Sequence, residues 1–379
     1  MRICHLAYDD LGNPWLGGGG ALRAWEIYRR LAARHQITMV SGGYPGAVRD
    51  EVVEGVRVIR LGAERCYACS RIGYMRKAPA VLRRLAWDLW VYEFSAFAPL
   101  VVPRRVRRLG VLQLYHLVGM HAFRKHPLVG LIAWLAERRV VRAYPYIVTI
   151  SPSVQRAIRA RAAVDTPVDC VATGVDDRYL RLEPADEPFV LYLGRIDIHT
   201  KGLDLLVSAF AQVAARRPDV ELAIAGRGRE REAARLRRLV AASPARARIR
   251  VIGPVGEAEK CELLRRCRVF CMPSRYEGWG IAAIEAAAAG KPVVGTAVSG
   301  LCDAVMDEQT GLLVAPEQPA ALAAGLERLL ADQDERTRLG RNARRWAQRF
   351  SWDRIAEEQL TAYERALARR EAPASAMRA

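Results

Sequence analysis

Two carboxylates eight residues apart, Glu277 and Glu285, stand in the segment Arg-Tyr-Glu-Gly-Trp-Gly-Ile-Ala-Ala-Ile-Glu-Ala-Ala-Ala-Ala-Gly-Lys-Pro (275–292). The residues before them, Val-Phe-Cys-Met-Pro-Ser (269–274), read as a buried strand, and Ile281 to Ala289 is strong helix former closed by Gly290. Glu277 is thereby placed at a strand's carboxyl end, where open α/β sheets bind ligands, and Glu285 about one turn into the helix that follows. Gly278 and Gly280 let backbone N–H groups at the helix start approach an anion. The arrangement suits a phosphorylated, polyhydroxylic ligand. An isolated pair of this kind reads first as two solvated side chains. Glu285, however, lies among alanines and isoleucines with no basic residue four positions away on either side. No ion pair along its own helix is available, and a carboxylate in such surroundings needs another partner.

Cations recur at a second strand end. After a strand near 189–193 comes Gly194-Arg195-Ile-Asp-Ile-His-Thr-Lys201-Gly202, leading into a helix over 203–215. Arginine grips a phosphate bidentately and lysine supplies a mobile point charge, so Arg195 and Lys201 could together neutralise a departing diphosphate. Lysine is scarce here, five residues against 54 arginines, which makes Lys201 harder to dismiss as surface decoration. A glycine-rich loop, residues 11–23 with Gly17 to Gly20, follows the first strand and enters a helix, offering amides to a phosphate. It is neither a Walker loop nor a dinucleotide fingerprint. His116 ends the strand read over 111–116 and stands at the rim of its sheet, with His121, His126 and His199 as competitors. No metal-ligand spacing links the six histidines, and the one Asp-x-Asp, Asp332 to Asp334, sits in a helical stretch, so no metal site is expected.

The elements that must position these residues alternate along the whole chain, as a doubly wound parallel α/β protein requires. Strands are expected near 2–8, 37–42, 56–61, 89–94, 111–116, 145–150 and 168–171. A second series is expected near 189–193, 221–225, 249–253, 269–274, 292–296 and 311–314. A polar, proline-punctuated segment over 173–188 separates the two. The expected domains are 1–180, 181–350 and a closing helix with a frayed tail over 351–379, after helices near 317–331 and 334–348.

A chain of 379 residues with 51% hydrophobic content is folded and too long for one ordinary core. The eight cysteines are scattered; the close pairs Cys66/Cys69 and Cys267/Cys271 lack the partners a zinc site needs, so reduced, mostly buried thiols are expected. No apolar run serves as a signal peptide or a membrane span, which places the protein in the cytoplasm. The net charge of +18 is uneven: residues 1–180 carry 27 basic and 14 acidic side chains. Arginine clusters at 104–108 and 138–142 alternate with apolar residues and with Trp87, Trp90 and Trp134, a pattern suited to peripheral contact with an anionic membrane at its inner face. A solvated basic surface accounts for the same charges. No nucleic-acid-binding motif accompanies them, and no nucleic-acid partner is expected.

In its strand ends and spacings the sequence resembles the retaining GT-B glycosyltransferases of the group 1, family 4 kind over nearly its whole length. Pro273 to Val294 resembles the family's Glu-x7-Glu element. Gly194-Arg195 with Lys201-Gly202, the Gly226-Arg-Gly228 turn, Ser299-Gly300 with Asp303, and Thr310-Gly-Leu-Leu-Val resemble further landmarks in order. The resemblance implies two Rossmann-like domains facing a central crevice, the first binding the acceptor and the second a nucleotide-sugar. It implies that Arg195 and Lys201 hold the donor diphosphate and that Glu285 hydrogen-bonds the ribose. Glu277 would contact the donor sugar, with Gly278, Trp279, Gly280 and Ile281 offering amides. Gly18 and Gly19 would cover the phosphates, and His116 would meet the sugar near the reacting centre. Trp279, Thr173, Ser299 and Asp303 depart from the family's usual phenylalanine, asparagine, glycine and glutamate, and the first and third of these bear on donor-sugar identity.

The implied reaction is metal-independent, front-face transfer of a sugar from a UDP-, GDP- or ADP-sugar to a hydroxyl of a sugar, glycan or lipid-linked acceptor, in cell-envelope, polysaccharide or glycolipid synthesis. The nucleotide-sugar is a substrate and no cofactor is required. Acceptor contacts are expected from loops near 62–75 and 117–127. A sugar-nucleotide epimerase or glycoside phosphorylase would use the same architecture, and a non-catalytic membrane-docking protein would share the basic first half.

Overall fold

The computed structural model describes residues 1–15, 18–96, 98–117 and 127–371, the side chains of 127–129 excepted. The chain divides into two compact units: Met1–Thr173 together with the segment from Trp352 onward, and Gly174–Ser351.

The first unit is built on eight strands: β1 (Arg2–Leu6), β2 (Gln36–Gly42), β3 (Asp50–Val53), β4 (Val56–Leu61), β5 (Leu89–Glu93), β6 (Gly110–Leu114), β7 (Ile147–Thr149) and β8 (Val168–Cys170). They lie in the order β3-β4-β2-β1-β5-β6-β7-β8. Helices on the faces bury the central strands on both sides, which is why β5 and β6 read as continuous apolar runs rather than alternating ones. Leu6, Trp90, Leu112 and Ile147 are fully buried in its core. Each such side chain contributes about 2 kcal/mol by leaving water.

Two features of this unit depart from the sequence expectation. β3 pairs antiparallel with β4, and the pair turns through Glu54 and Gly55, both with positive φ. This is the geometry of a two-residue hairpin, disguised by a glutamate where such turns favour asparagine or aspartate and by a strand of four residues, two of them acidic. The segment 62–75 is not one loop: a helix, Tyr67–Arg84, starts inside it and runs through Pro79. The other expected acceptor loop, 117–127, and His121 and His126 with it, lie almost wholly outside the described residues, as does Gly17.

The second unit carries β9 (Glu187–Leu193), β10 (Glu221–Ala225), β11 (Ile249–Gly253), β12 (Cys267–Met272), β13 (Val293–Thr296) and β14 (Gly311–Val314), all parallel, in the order β11-β10-β9-β12-β13-β14. Val190, Phe210, Leu222, Val269 and Leu326 are completely buried in its core. The boundary falls at 173/174 rather than 180/181 because Val175 donates its N–H to Phe350 O (2.8 Å) and Tyr179 its hydroxyl to Glu257 Oε2 (2.8 Å).

The closing helix, Trp352–Glu371, packs on Gly19–Leu31 of the first unit. Tyr363 and Tyr28 share a hydroxyl hydrogen bond of 2.7 Å, and Gln359 Oε1 accepts from Arg23 Nη2 at 2.8 Å. Arg23 is buried, and its guanidinium is satisfied further by Val171 O at 2.9 Å. No helix among the described residues is long and apolar enough to cross a membrane.

Candidate functional site

In the second sheet β9 lies between β10 and β12, and the chain leaves β9 toward one side and β12 toward the other. The carboxyl ends of β9 and β12 therefore flank the point where strand order reverses, which is where open α/β sheets bind ligands. The loops rooted there are Gly194–Gly202 and Pro273–Gly280.

Three glycines let the surrounding loops approach as closely as they do. Gly202 has φ of 64°, and a Cβ on it would stand 2.0 Å from Pro273 O. Gly226, with φ of 146°, would place a Cβ 1.7 Å from Gly194 O, and Gly300, with φ of 81°, would strike Gly278 at 2.5 Å. These are backbone clashes that no side-chain rotation relieves. Gly202→Ala is accordingly expected to cost about 2 kcal/mol or more and to lower the thermal midpoint by roughly 5 °C. A melting curve superimposable on wild type would show that the two loops do not meet as described.

Arg275 fixes the second loop. Its guanidinium spans Asp204 bidentately at 2.7 and 2.9 Å, reaches Glu317 and donates to His199 O at 3.0 Å. Although burial opposes it, the paired guanidinium holds the Asp204 carboxyl below the usual range. The loop so held presents Glu277, which is buried and meets Lys201 Nζ at 2.5 Å and Ser274 Oγ at 2.7 Å through Oε1. Thr296 Oγ1 in turn donates to Ser274 O. The expected lysine and acid thus form one ion pair across 76 residues of sequence, with a serine completing it. Nothing in its spacing marks Ser274 in the sequence; it stands two residues beyond β12 in the loop that carries Glu277.

Glu285 is also buried, in the helix Ile281–Ala288, and the partner that its own helix cannot supply comes from the helix Glu257–Arg266. Lys260 Nζ is 2.6 Å from Glu285 Oε1. The Lys260 ammonium also lies 5.1 Å from the centre of the Tyr179 ring. Burial pushes the Glu285 carboxyl up, and Lys260 opposes that shift. Lys260 and Tyr179 escaped the sequence reading because contacts at separations of 25 and 81 residues follow no local pattern. The one available signal was that Lys260 is among only five lysines.

The remaining expected residues are placed as follows. Arg195 is exposed at the end of β9, and its carbonyl accepts the buried Tyr192 hydroxyl at 2.8 Å. Gly280, with φ of 104°, precedes the helix Ile281–Ala288; its carbonyl accepts the Ala283 N–H at 2.9 Å, which leaves the Ile281 and Ala282 amides as those without a helical acceptor. The Trp279 indole faces the protein: it is buried edge-on against Phe350 at 5.2 Å, so the departure from phenylalanine is a packing change at this point. In the first unit Gly18 precedes the helix Gly19–Leu31 and donates its N–H to Asp9 Oδ2 at 3.0 Å. A phosphate at that amide must displace a carboxylate. His116 is exposed just beyond β6, which ends two residues earlier than expected, at the carboxyl edge of its sheet. Asp332 caps the helix Gln333–Ala347, accepting the Glu335 N–H at 2.8 Å.

Two α/β units on sheets that are parallel apart from the β3–β4 pair, with paired acids and cations by the strand-order reversal of the second, define a glycosyltransferase of the GT-B fold. Residues 178–346 match the family Glycosyl transferases group 1, and residues 17–179 match Glycosyltransferase Family 4. A glycogen synthase of Mycobacterium tuberculosis is 33% identical over 96% of this chain and 94% of its own. The chain belongs to the group 1 glycosyltransferases. A D-inositol 3-phosphate glycosyltransferase of Xylanimonas cellulosilytica is 37% identical, but the match spans 50% of this chain and 45% of that relative. Among solved structures, sucrose-phosphate synthase of Thermosynechococcus elongatus superposes with a TM-score of 0.83 at 24% identity, over 97% of this chain and all of that one. Anabaena HepE in complex with UDP and glucose gives 0.75 at 18% identity, over 96% and 100%. At these identities the likeness is one of fold.

Proposed function

We propose that the protein is a retaining glycosyltransferase that moves a sugar from a nucleoside-diphosphate sugar to an acceptor hydroxyl in cell-envelope, polysaccharide or glycolipid synthesis. The observation that carries the reading is the Lys201–Glu277 pair in the loops that lead to Gly280 and to the Ile281 and Ala282 amides at the start of helix Ile281–Ala288. Charge develops on the leaving diphosphate as the bond to the anomeric carbon breaks. Lys201, already held by Glu277, and the exposed Arg195 would take up that charge, so the lysine reorganises little during the reaction. Glu277 would orient the donor sugar and Glu285 the ribose, and the acceptor hydroxyl would enter on the face the diphosphate leaves, its proton passing to the departing phosphate. For Gly18, Gly19 and His116, at the carboxyl edge of the first sheet, we propose contacts to phosphates and sugar. HepE, solved with UDP and glucose, supports a nucleotide-sugar donor.

Donor identity is read by a thermal-shift panel of UDP-, GDP- and ADP-sugars. A matching nucleotide at 100 times its Kd is expected to add about 2.7 kcal/mol of apparent stability. NMR of the product then reports whether the anomeric configuration is kept. No shift with any nucleotide-sugar would refute the donor assignment, and an inverted product would refute retention.

We also propose that the protein makes peripheral contact with an anionic membrane surface. Arg104, Arg107, Arg108, Arg138, Arg139 and Arg142 line an open groove of about 1100 Å³ together with Ile132, Trp134 and Leu135, and no acidic residue is in its lining. The groove lies by the amino ends of β6, β7 and β8, opposite the carboxyl edge that carries His116. Phosphatidylglycerol vesicles are expected to sediment the protein at low salt and phosphatidylcholine vesicles to leave it in solution, with Arg138→Glu/Arg139→Glu abolishing the difference. Equal sedimentation by both lipids, or by neither, would overturn the membrane reading and leave glycosyl transfer untouched.

A further inference from the structure

Cys66 and Cys69 are not the buried thiols expected of this chain. Cys66 is half-buried, Cys69 is exposed, and their sulfurs are 2.6 Å apart. Cys66 is the N-cap of the helix Tyr67–Arg84, and its Sγ accepts the Cys69 N–H at 3.2 Å. Two accessible thiols in contact across one helical turn need little motion to reach a disulfide bond length of roughly 2.0 Å. The turn itself is held from behind: Ser70 is fully buried, donates to Gly43 O and accepts the Tyr8 hydroxyl at 3.2 Å, while the Tyr67 ring packs edge-on against Trp15 and Tyr8. The sulfurs are thus presented by a fixed backbone at the surface.

We propose that Cys66 and Cys69 form a thiol–disulfide exchange site that closes to an intramolecular disulfide by reaction with a low-molecular-weight disulfide. The Cys66 thiolate attacks one sulfur of the small disulfide, forming a mixed disulfide and releasing one thiolate. Cys69 loses its proton to solvent and attacks the Cys66 sulfur, expelling the second. The two protein thiols are oxidised by two electrons, and the small disulfide is reduced to two thiols. Cys66 is the attacking sulfur because the hydrogen bonds from the Cys69 thiol and then from the Cys69 backbone lower its pKa. Cys302, also exposed, is the internal reference: burial raises its pKa. The site stands apart from glycosyl transfer and does not rest on that reading.

The test uses the full chain, folded, in graded mixtures of oxidised and reduced glutathione, followed by acid quench and mass spectrometry. Wild type is expected to lose two hydrogens in a peptide linking Cys66 to Cys69, and Cys69→Ser to carry one glutathione on Cys66. Cys66→Ser retains a hydroxyl able to cap the helix and forms no link. In the reduced protein Cys66 is expected to alkylate about 10-fold faster than Cys302 at neutral pH. Glutathione on both cysteines of wild type without a link, or Cys66 reacting no faster than Cys302, would overturn the proposal.

Discussion

Glu277→Gln is expected to lower turnover by about 100-fold or more while the protein stays folded. Glutamine keeps the shape of the side chain and an oxygen able to accept from Lys201 Nζ and Ser274 Oγ, now 2.5 and 2.7 Å away, so the loop held by Arg275 has no reason to move. What is lost is the negative charge that we propose orients the donor sugar. The same loss frees the Lys201 ammonium from its counter-charge, so binding of the nucleoside diphosphate alone is expected to be unchanged or tighter. This split separates the assigned role from collapse of the site, which would weaken both. Donor-dependent product formation and a nucleotide thermal shift, measured side by side, check it. Turnover at the wild-type rate would remove Glu277 from the reaction.

Lys260→Met is expected to destabilise the protein by roughly 3 kcal/mol at pH 7, because it leaves Glu285 charged, buried and without its partner at 2.6 Å. Methionine fills the space of the lysine stem, so the loss is chiefly electrostatic. The sign of the pH dependence follows from Glu285. Its carboxyl in the folded protein already titrates above the ordinary value of 4.5, and removing Lys260 raises it further. An acid whose folded pKa exceeds its unfolded one favours the folded state at pH below the unfolded value. That contribution is lost as pH rises through the window up to the folded value. The gap in thermal midpoint between variant and wild type should therefore narrow as pH falls from 7 toward 4.5. Glu285→Gln placed on Lys260→Met should recover most of the loss. A gap independent of pH, or a midpoint equal to wild type at pH 7, would show that Lys260 does not balance Glu285.

The strand positions of both sheets are legible in the sequence because burial on both faces imposes short apolar runs, and glycines mark the loops that follow. β12 and the helix after it were placed in this way, and with them Glu277 and Glu285. The β3–β4 hairpin was not legible, since Glu54-Gly55 lacks the usual turn residues and β3 is short and polar. The helix Tyr67–Arg84 was partly hidden by Gly73 and Pro79, residues that ordinarily interrupt helices and are tolerated here.

The sequence by itself determined that cations and acids would gather at strand ends, since Arg195, Lys201 and Glu277 all lie in the short segments between an apolar run and the next helix. It also determined that Glu285 would need a partner that its own helix cannot supply. Only the tertiary structure decided that Lys201 would hold Glu277, that Lys260 would hold Glu285, and that the Gly18 amide would be occupied by Asp9. Secondary structure follows from residues within a few positions of one another, whereas an ion pair depends on distance through space and on the dielectric around it. Both are set only once β9 and β12 lie side by side and the glycines let their loops touch.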